Sequence, residues 1–77
     1  MPRSFGNEEL RRIISDNIRD EIVASGKTRS EIAKAIGVSM PTVSQYLSGR
    51  AQPSLATLSR LCSFLGCSAD TILNVEK

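Results

Sequence analysis

Few residues in this sequence could make or break a covalent bond. Histidine is absent, no nucleophile stands beside a base in a catalytic spacing, and no glycine-rich loop is built to cradle a phosphate. An enzyme is therefore not expected, and neither a cofactor nor a metal ion. Cys62 and Cys67 lack the second pair that a zinc site needs and are too few for a disulfide scaffold. They read as small apolar packing residues. What remains is hydrogen bonding and charge. Residues 40–48 carry the polar side chains of Thr42, Ser44, Gln45 and Ser48, interleaved with Met40, Pro41, Val43, Tyr46 and Leu47. Residues 27–60 hold Lys27, Arg29, Lys34, Arg50 and Arg60 against the single acid Glu31, whereas Glu8, Glu9, Asp16, Asp20 and Glu21 crowd the first 25 residues. A net charge of +2 is too weak to argue for a polyanionic partner, but this distribution assigns any anion-binding face to the middle of the chain.

Helices must position these groups. At 77 residues, with 40% hydrophobic residues and only three aromatics (Phe5, Tyr46, Phe64), the chain is expected to form one domain over 1–77. Its core, within 7–75, is built mainly from Ile, Leu, Val and Ala. Leu10, Ile13, Ile14, Ile18, Ile22 and Val23 have the spacing of a helix with one buried stripe. They predict a first helix over about 7–25, capped by Asn7 and ended by Gly26. Thr28-Arg29-Ser30-Glu31 is a capping box for a second helix over 29–36, with Ile32, Ala33 and Ile36 inward and Gly37 as its stop. Ser39 caps a third helix over 40–48, with Pro41 in the first turn, where its missing N–H matters least. Val43 and Tyr46 face inward, Leu47 edges the core, and Met40, Pro41, Thr42, Ser44, Gln45 and Ser48 lie nearer the open side. A loop, Arg50-Ala51-Gln52-Pro53, leads to a fourth helix over 55–65 capped by Ser54 and a short fifth from Ser68 through Val75. No strand alternation, internal repeat or low-complexity tract interrupts this all-α pattern.

Residues 29–48 thus form helix, three-residue turn, helix. Ala33 lets the two axes approach, Gly37 supplies the turn, and Val43 anchors the second helix so that its opposite face can project into a major groove. The same geometry would also serve plain packing in a five-helix bundle.

The stretch from Thr28 to Ser39, then Thr42 to Arg50, then Pro53-Ser54-Leu55, with Leu58, Leu61, Leu65-Gly66 and Ile72-Leu73 behind it, resembles the lambda-repressor-like helix-turn-helix family of Cro/C1 or XRE type. The match runs over about residues 10–75. The resemblance implies a five-helix DNA-binding domain and assigns roles. Arg29, where relatives usually carry Gln, falls at a phosphate contact, and Ser39 with the start of its helix at another. Met40, Pro41, Thr42 and Gln45 fall where base edges are faced. Ser48, Arg50 and Gln52 fall in the segment that grips a second phosphate run. Because Met40 and Pro41 donate no hydrogen bond, direct readout is expected from Thr42, Ser44 and Gln45, with Met40 or Pro41 against a thymine methyl.

The expected function is sequence-specific DNA binding as a transcriptional regulator, a repressor, with double-stranded DNA as partner. The rival is a protein-interaction module of the same fold, such as an antitoxin; a further possibility is the DNA-binding half of a larger repressor. Small polar residues on the open face of 40–48 favour DNA over a protein partner. A homodimer is expected, paired near the fifth helix and the loop before it through Ile72, Leu73 and Val75. With no apolar run near the ~20 residues that span a bilayer and no hydrophobic signal region behind Met1-Pro2-Arg3-Ser4, the expectation is a cytoplasmic protein with no membrane partner. Arg11, Arg12 and Arg19 read as charges that solvate the first helix or pair with Glu and Asp one turn away, and Lys34 and Arg60 as solvated surface charges.

Overall fold

Short hydroxyl side chains decide where four of the five helices begin. In the computed structural model, which describes residues 6–74, these are α1 (Asn7–Ser25), α2 (Arg29–Ile36), α3 (Met40–Ser48), α4 (Leu55–Leu65) and α5 (Ala69–Leu73). Thr28, Ser39, Ser54 and Ser68 sit just before the last four in extended conformation, each accepting a backbone N–H of the first turn, which satisfies a donor the helix itself cannot. At Thr28 the box is complete: Oγ1 accepts from the Glu31 N–H at 3.1 Å and the Thr28 N–H donates to Glu31 Oε1 at 2.8 Å. That second bond holds the Glu31 carboxyl below the usual carboxylate range. The first helix departs from expectation. Gly6 is its N-cap and makes no side-chain bond, and Asn7, expected as the cap, is the first helical residue. Glu8 and Glu9 at the positive end of the helix dipole support the start instead.

Gly37 sets the angle between α2 and α3. Its φ is 74°, and the N–H groups of Gly37 and Val38 both donate to the Ala33 carbonyl, at 2.9 and 3.0 Å, which ends α2 within one residue. No atom lies within 4 Å of where a Cβ would sit, so the constraint is backbone strain and not crowding. Gly37→Val is expected to lower stability by roughly 1–3 kcal/mol, and Gly37→Asn by less, because Asn tolerates the left-handed region. Chemical denaturation of both variants checks this. Equal midpoints for Gly37→Val and the parent protein would contradict it.

The core is aliphatic. Ile18, Ile32, Ile36, Val43, Leu61 and Ile72 are its largest fully buried side chains, with Ile22, Ala33, Tyr46, Leu58 and Cys62 beside them. α1 packs on α3 and α5, and α2 packs on α3 and α4. Tyr46 is therefore a core residue, as its spacing implied. Cys62 is buried and Cys67 half-buried, both free thiols. Burial and the neighbouring Cys62 push the Cys67 thiol up to about 11, so Cys67 stays neutral at physiological pH and behaves as apolar surface.

α5 departs from expectation in its extent and in the placement of Ile72. It ends at Leu73, with Asn74 as a left-handed C-cap at φ 57°, and Val75 lies outside the described residues. Ile72, expected at a dimer interface, has no exposed surface; the rotation of about 100° that separates it from Leu73 along the helix turns it into the bundle. Asn17 reinforces this by donating Nδ2 to the Thr71 and Ile72 carbonyls at 3.2 and 3.0 Å, satisfying groups that a five-residue helix leaves open. Among the described residues no helix is long and apolar enough to cross a membrane.

Candidate nucleic-acid interface

α3 is held by its inner face and free on its outer one. Val43 and Tyr46 are 0% and 6% exposed, and burying each contributes roughly 1.5–3 kcal/mol. That leaves Pro41, Ser44, Gln45 and Ser48, at helical spacing, along one outward stripe, with Met40 beside it at 49% exposure. Their side chains are not equally available. The Gln45 carboxamide is exposed and makes no hydrogen bond among the described residues, so its N–H and C=O are both presented outward. Thr42 is half-buried, with Oγ1 2.9 Å from Ser39 Oγ while its N–H donates to the same oxygen at 3.3 Å. Its hydroxyl belongs to the cap. Ser48 turns back, its Oγ donating to the Gln45 carbonyl at 3.2 Å.

Two arginines flank the stripe. Arg29, the first residue of α2, donates from Nη1 to Ser44 Oγ at 3.0 Å, which ties the start of α2 to the middle of α3. Arg50 is exposed just past Gly49, with its backbone N–H donating to the Gln45 carbonyl at 3.0 Å. The ion pair among the described residues is Arg19 with Asp16 at 3.3 Å, so neither flanking guanidinium is neutralised by a carboxylate.

Gln52, which the resemblance assigns to the segment that grips a phosphate run, is engaged within the protein through its amide nitrogen. It is half-buried, and Nε2 donates to the Arg11 carbonyl at 2.8 Å and lies 3.5 Å from Ser15 Oγ. Its amide nitrogen thus holds the loop against α1. Ser15 is 6% exposed, and a Cβ on Gly49 would meet Ser15 Cβ and Oγ at 3.5 Å, so the end of α3 and the loop rest directly on α1. Sequence reasoning missed Ser15 and the Arg11 carbonyl. The available signal was a single serine on the buried stripe of the first helix, where an aliphatic residue would otherwise be expected.

The outward stripe, the two unpaired guanidinium groups and the exposed first turn of α3 form one surface on which hydrogen-bonding groups stand between positive charges. Such a surface can hydrogen-bond to flat polar edges while its margins bind anions.

The family HTH_3, described as Helix-turn-helix, matches residues 18–72, which include all of α2, α3 and α4. A comparison with curated proteins gave no match. Among solved structures the fold is similar to the solution structure of the SOS-response transcriptional repressor LexA from Eubacterium rectale, with a TM-score of 0.79 and 30% sequence identity over 90% of this chain and 73% of that one. By the match across its three central helices and by the geometry of α2, Gly37 and α3, the chain belongs to the XRE-type helix-turn-helix DNA-binding family.

Proposed function

We propose that this protein is a sequence-specific transcriptional repressor that lays α3 in the major groove of duplex DNA. The observation that carries this reading is the free carboxamide of Gln45, exposed on a stripe flanked by unpaired arginines. A carboxamide in that position matches the adjacent acceptor and donor of adenine, while Arg29 and Arg50 bind the phosphates on either side. Ser39 and the first amides of α3 approach a phosphate, Met40 and Pro41 pack on a thymine methyl, and Thr42 orders the cap. Ser44 supplies a hydroxyl to a base edge, Ser48 borders the second phosphate run, and Gln52 sets the loop that carries Arg50. The repressor role is supported by the likeness to a protein named a transcriptional repressor.

A single α3 reads only a few base pairs, so the protein is proposed to act as a homodimer with half-sites about one helical turn, roughly 34 Å, apart. Ile72 being core, the pairing surface is assigned to the apolar groove of about 320 Å³ between α4 and α5, where Leu55 and Leu73 lie. Leu55 is 80% exposed. A protein partner at α3 is disfavoured because Met40 is the large hydrophobic side chain exposed there, which is too small a patch for a stable protein interface.

The Arg29–Ser44 bond gives this reading a specific test. Arg29→Ala removes a phosphate contact, so it should lower the slope of log affinity against log salt by about one per half-site on every duplex. It also frees Ser44, so base preference should relax at the one position that Ser44 faces. Ser44→Ala should relax the same position and leave the slope unchanged. Titrations on matched and scrambled duplexes over a range of salt read both effects, and an unchanged slope for Arg29→Ala would remove Arg29 from the interface.

A further inference from the structure

We infer that the DNA-binding surface extends onto the amino-terminal half of α1, where Arg11 and Arg12 join Arg50 on one phosphate run and Gln52 is the positioning residue that keeps the two segments side by side. This rests on the DNA reading above. The latch is direct: Gln52 Nε2 reaches the Arg11 carbonyl at 2.8 Å, and Gly49 lies against Ser15 one turn further along α1. α1 therefore runs beside the end of α3, and the groove of about 480 Å³ between them is lined by Arg11, Arg12 and Arg19 from one wall and Ser48 and Gly49 from the other.

The charges in that groove are not equivalent. Arg19 is paired with Asp16 at 3.3 Å. Arg11 and Arg12 are exposed and make no ion pair among the described residues. Glu8 and Glu9 also line the groove, but they belong to the first turn of α1, where the helix dipole favours them. Glu9 folds toward the start of the helix, its Oε1 3.7 Å from where a Cβ on Gly6 would sit. Arg11 and Arg12, neither held in an ion pair among the described residues, thus border the segment that ends in Arg50, and planar guanidinium forks are suited to phosphate oxygens.

The test is the salt dependence of binding by the full chain to a duplex selected for tight binding and to a scrambled one. Arg11→Ala and Arg12→Ala should each lower the slope by about one per half-site on both duplexes, whereas Arg19→Ala should leave it unchanged. Gln52→Met keeps the side-chain length and removes the donor. It should lower the slope although it removes no charge, and Arg50→Ala should then have less effect in that background than in the parent protein. A purely structural role for Gln52 would lower the melting temperature and leave the slope alone. Parental slopes for Arg11→Ala and Arg12→Ala overturn the inference, and both surface variants remain readable even if Gln52→Met fails to fold. If Gln45→Ala still loses affinity in that case, α3 reads DNA and α1 alone stands outside the interface. If no variant changes binding, the DNA reading falls with it.

Discussion

Ile72→Ala is expected to lower the free energy of unfolding by about 2–5 kcal/mol, a large share of what a domain of this size possesses. Ile72 has no exposed surface, and it sits at the point where Asn17 fastens α5 to α1. Removing its side chain leaves a cavity between two helices that α5, only five residues long, cannot close by shifting without breaking those bonds. The loss should be independent of protein concentration, because a core residue acts within one chain. Leu73→Ala, on the half-buried side of the same helix, should cost less in the monomer and weaken self-association instead. Urea unfolding of both variants at several protein concentrations separates the two roles. A parental midpoint for Ile72→Ala would return Ile72 to the surface and contradict the placement of α5.

Gln45→Ala carries the second large effect. It removes the side chain that offers a donor and an acceptor together on the outward face of α3, and a bidentate pair with adenine contributes roughly 1–3 kcal/mol of discrimination. Affinity for the preferred duplex should fall by that amount per half-site, about 5- to 150-fold, while binding to a scrambled duplex stays nearly unchanged, because the phosphate contacts are intact. The substitution is at an exposed position of a helix in which alanine is a good former, so the melting temperature should not fall. Equal losses on both duplexes would make Gln45 a backbone contact, and no loss on either would take it out of the interface.

Much of the fold is local and so was legible. Thr28 with Glu31, Ser39 with Pro41, and Ser54 each mark a helix start within one turn of themselves, and Gly37, Gly49 and Gly66 mark ends because their positive φ is a property of the residue and its immediate chain. The bounds of α2, α3 and α4 follow directly. Asn7 misled because Gly6 ahead of it takes the extended cap conformation, so α1 starts one residue earlier than a capping side chain at Asn7 would set it. What the sequence did not disclose depends on residues far apart along the chain. Arg29 and Ser44 are 15 positions apart and Gln52 and Arg11 are 41 apart. No periodicity links them, because each bond is set by how two helices cross. Ile72 and Leu73 look alike in sequence, and only the direction of α5 against α1 buries the first. The outward residues of α3 were legible as a stripe, but their availability was not: Thr42 and Ser48 spend their hydroxyls on their own helix, whereas the Gln45 side chain stays free and Ser44 is shared with Arg29.

The central claim is that α3 reads DNA sequence, and selection from a random duplex pool tests it most directly. The protein should enrich a palindrome with half-site centres roughly 34 Å apart, each half containing an adenine whose identity is lost when the selection is repeated with Gln45→Ala. Enrichment of no sequence, or of the same sequence by the parent protein and by Gln45→Ala, would contradict it.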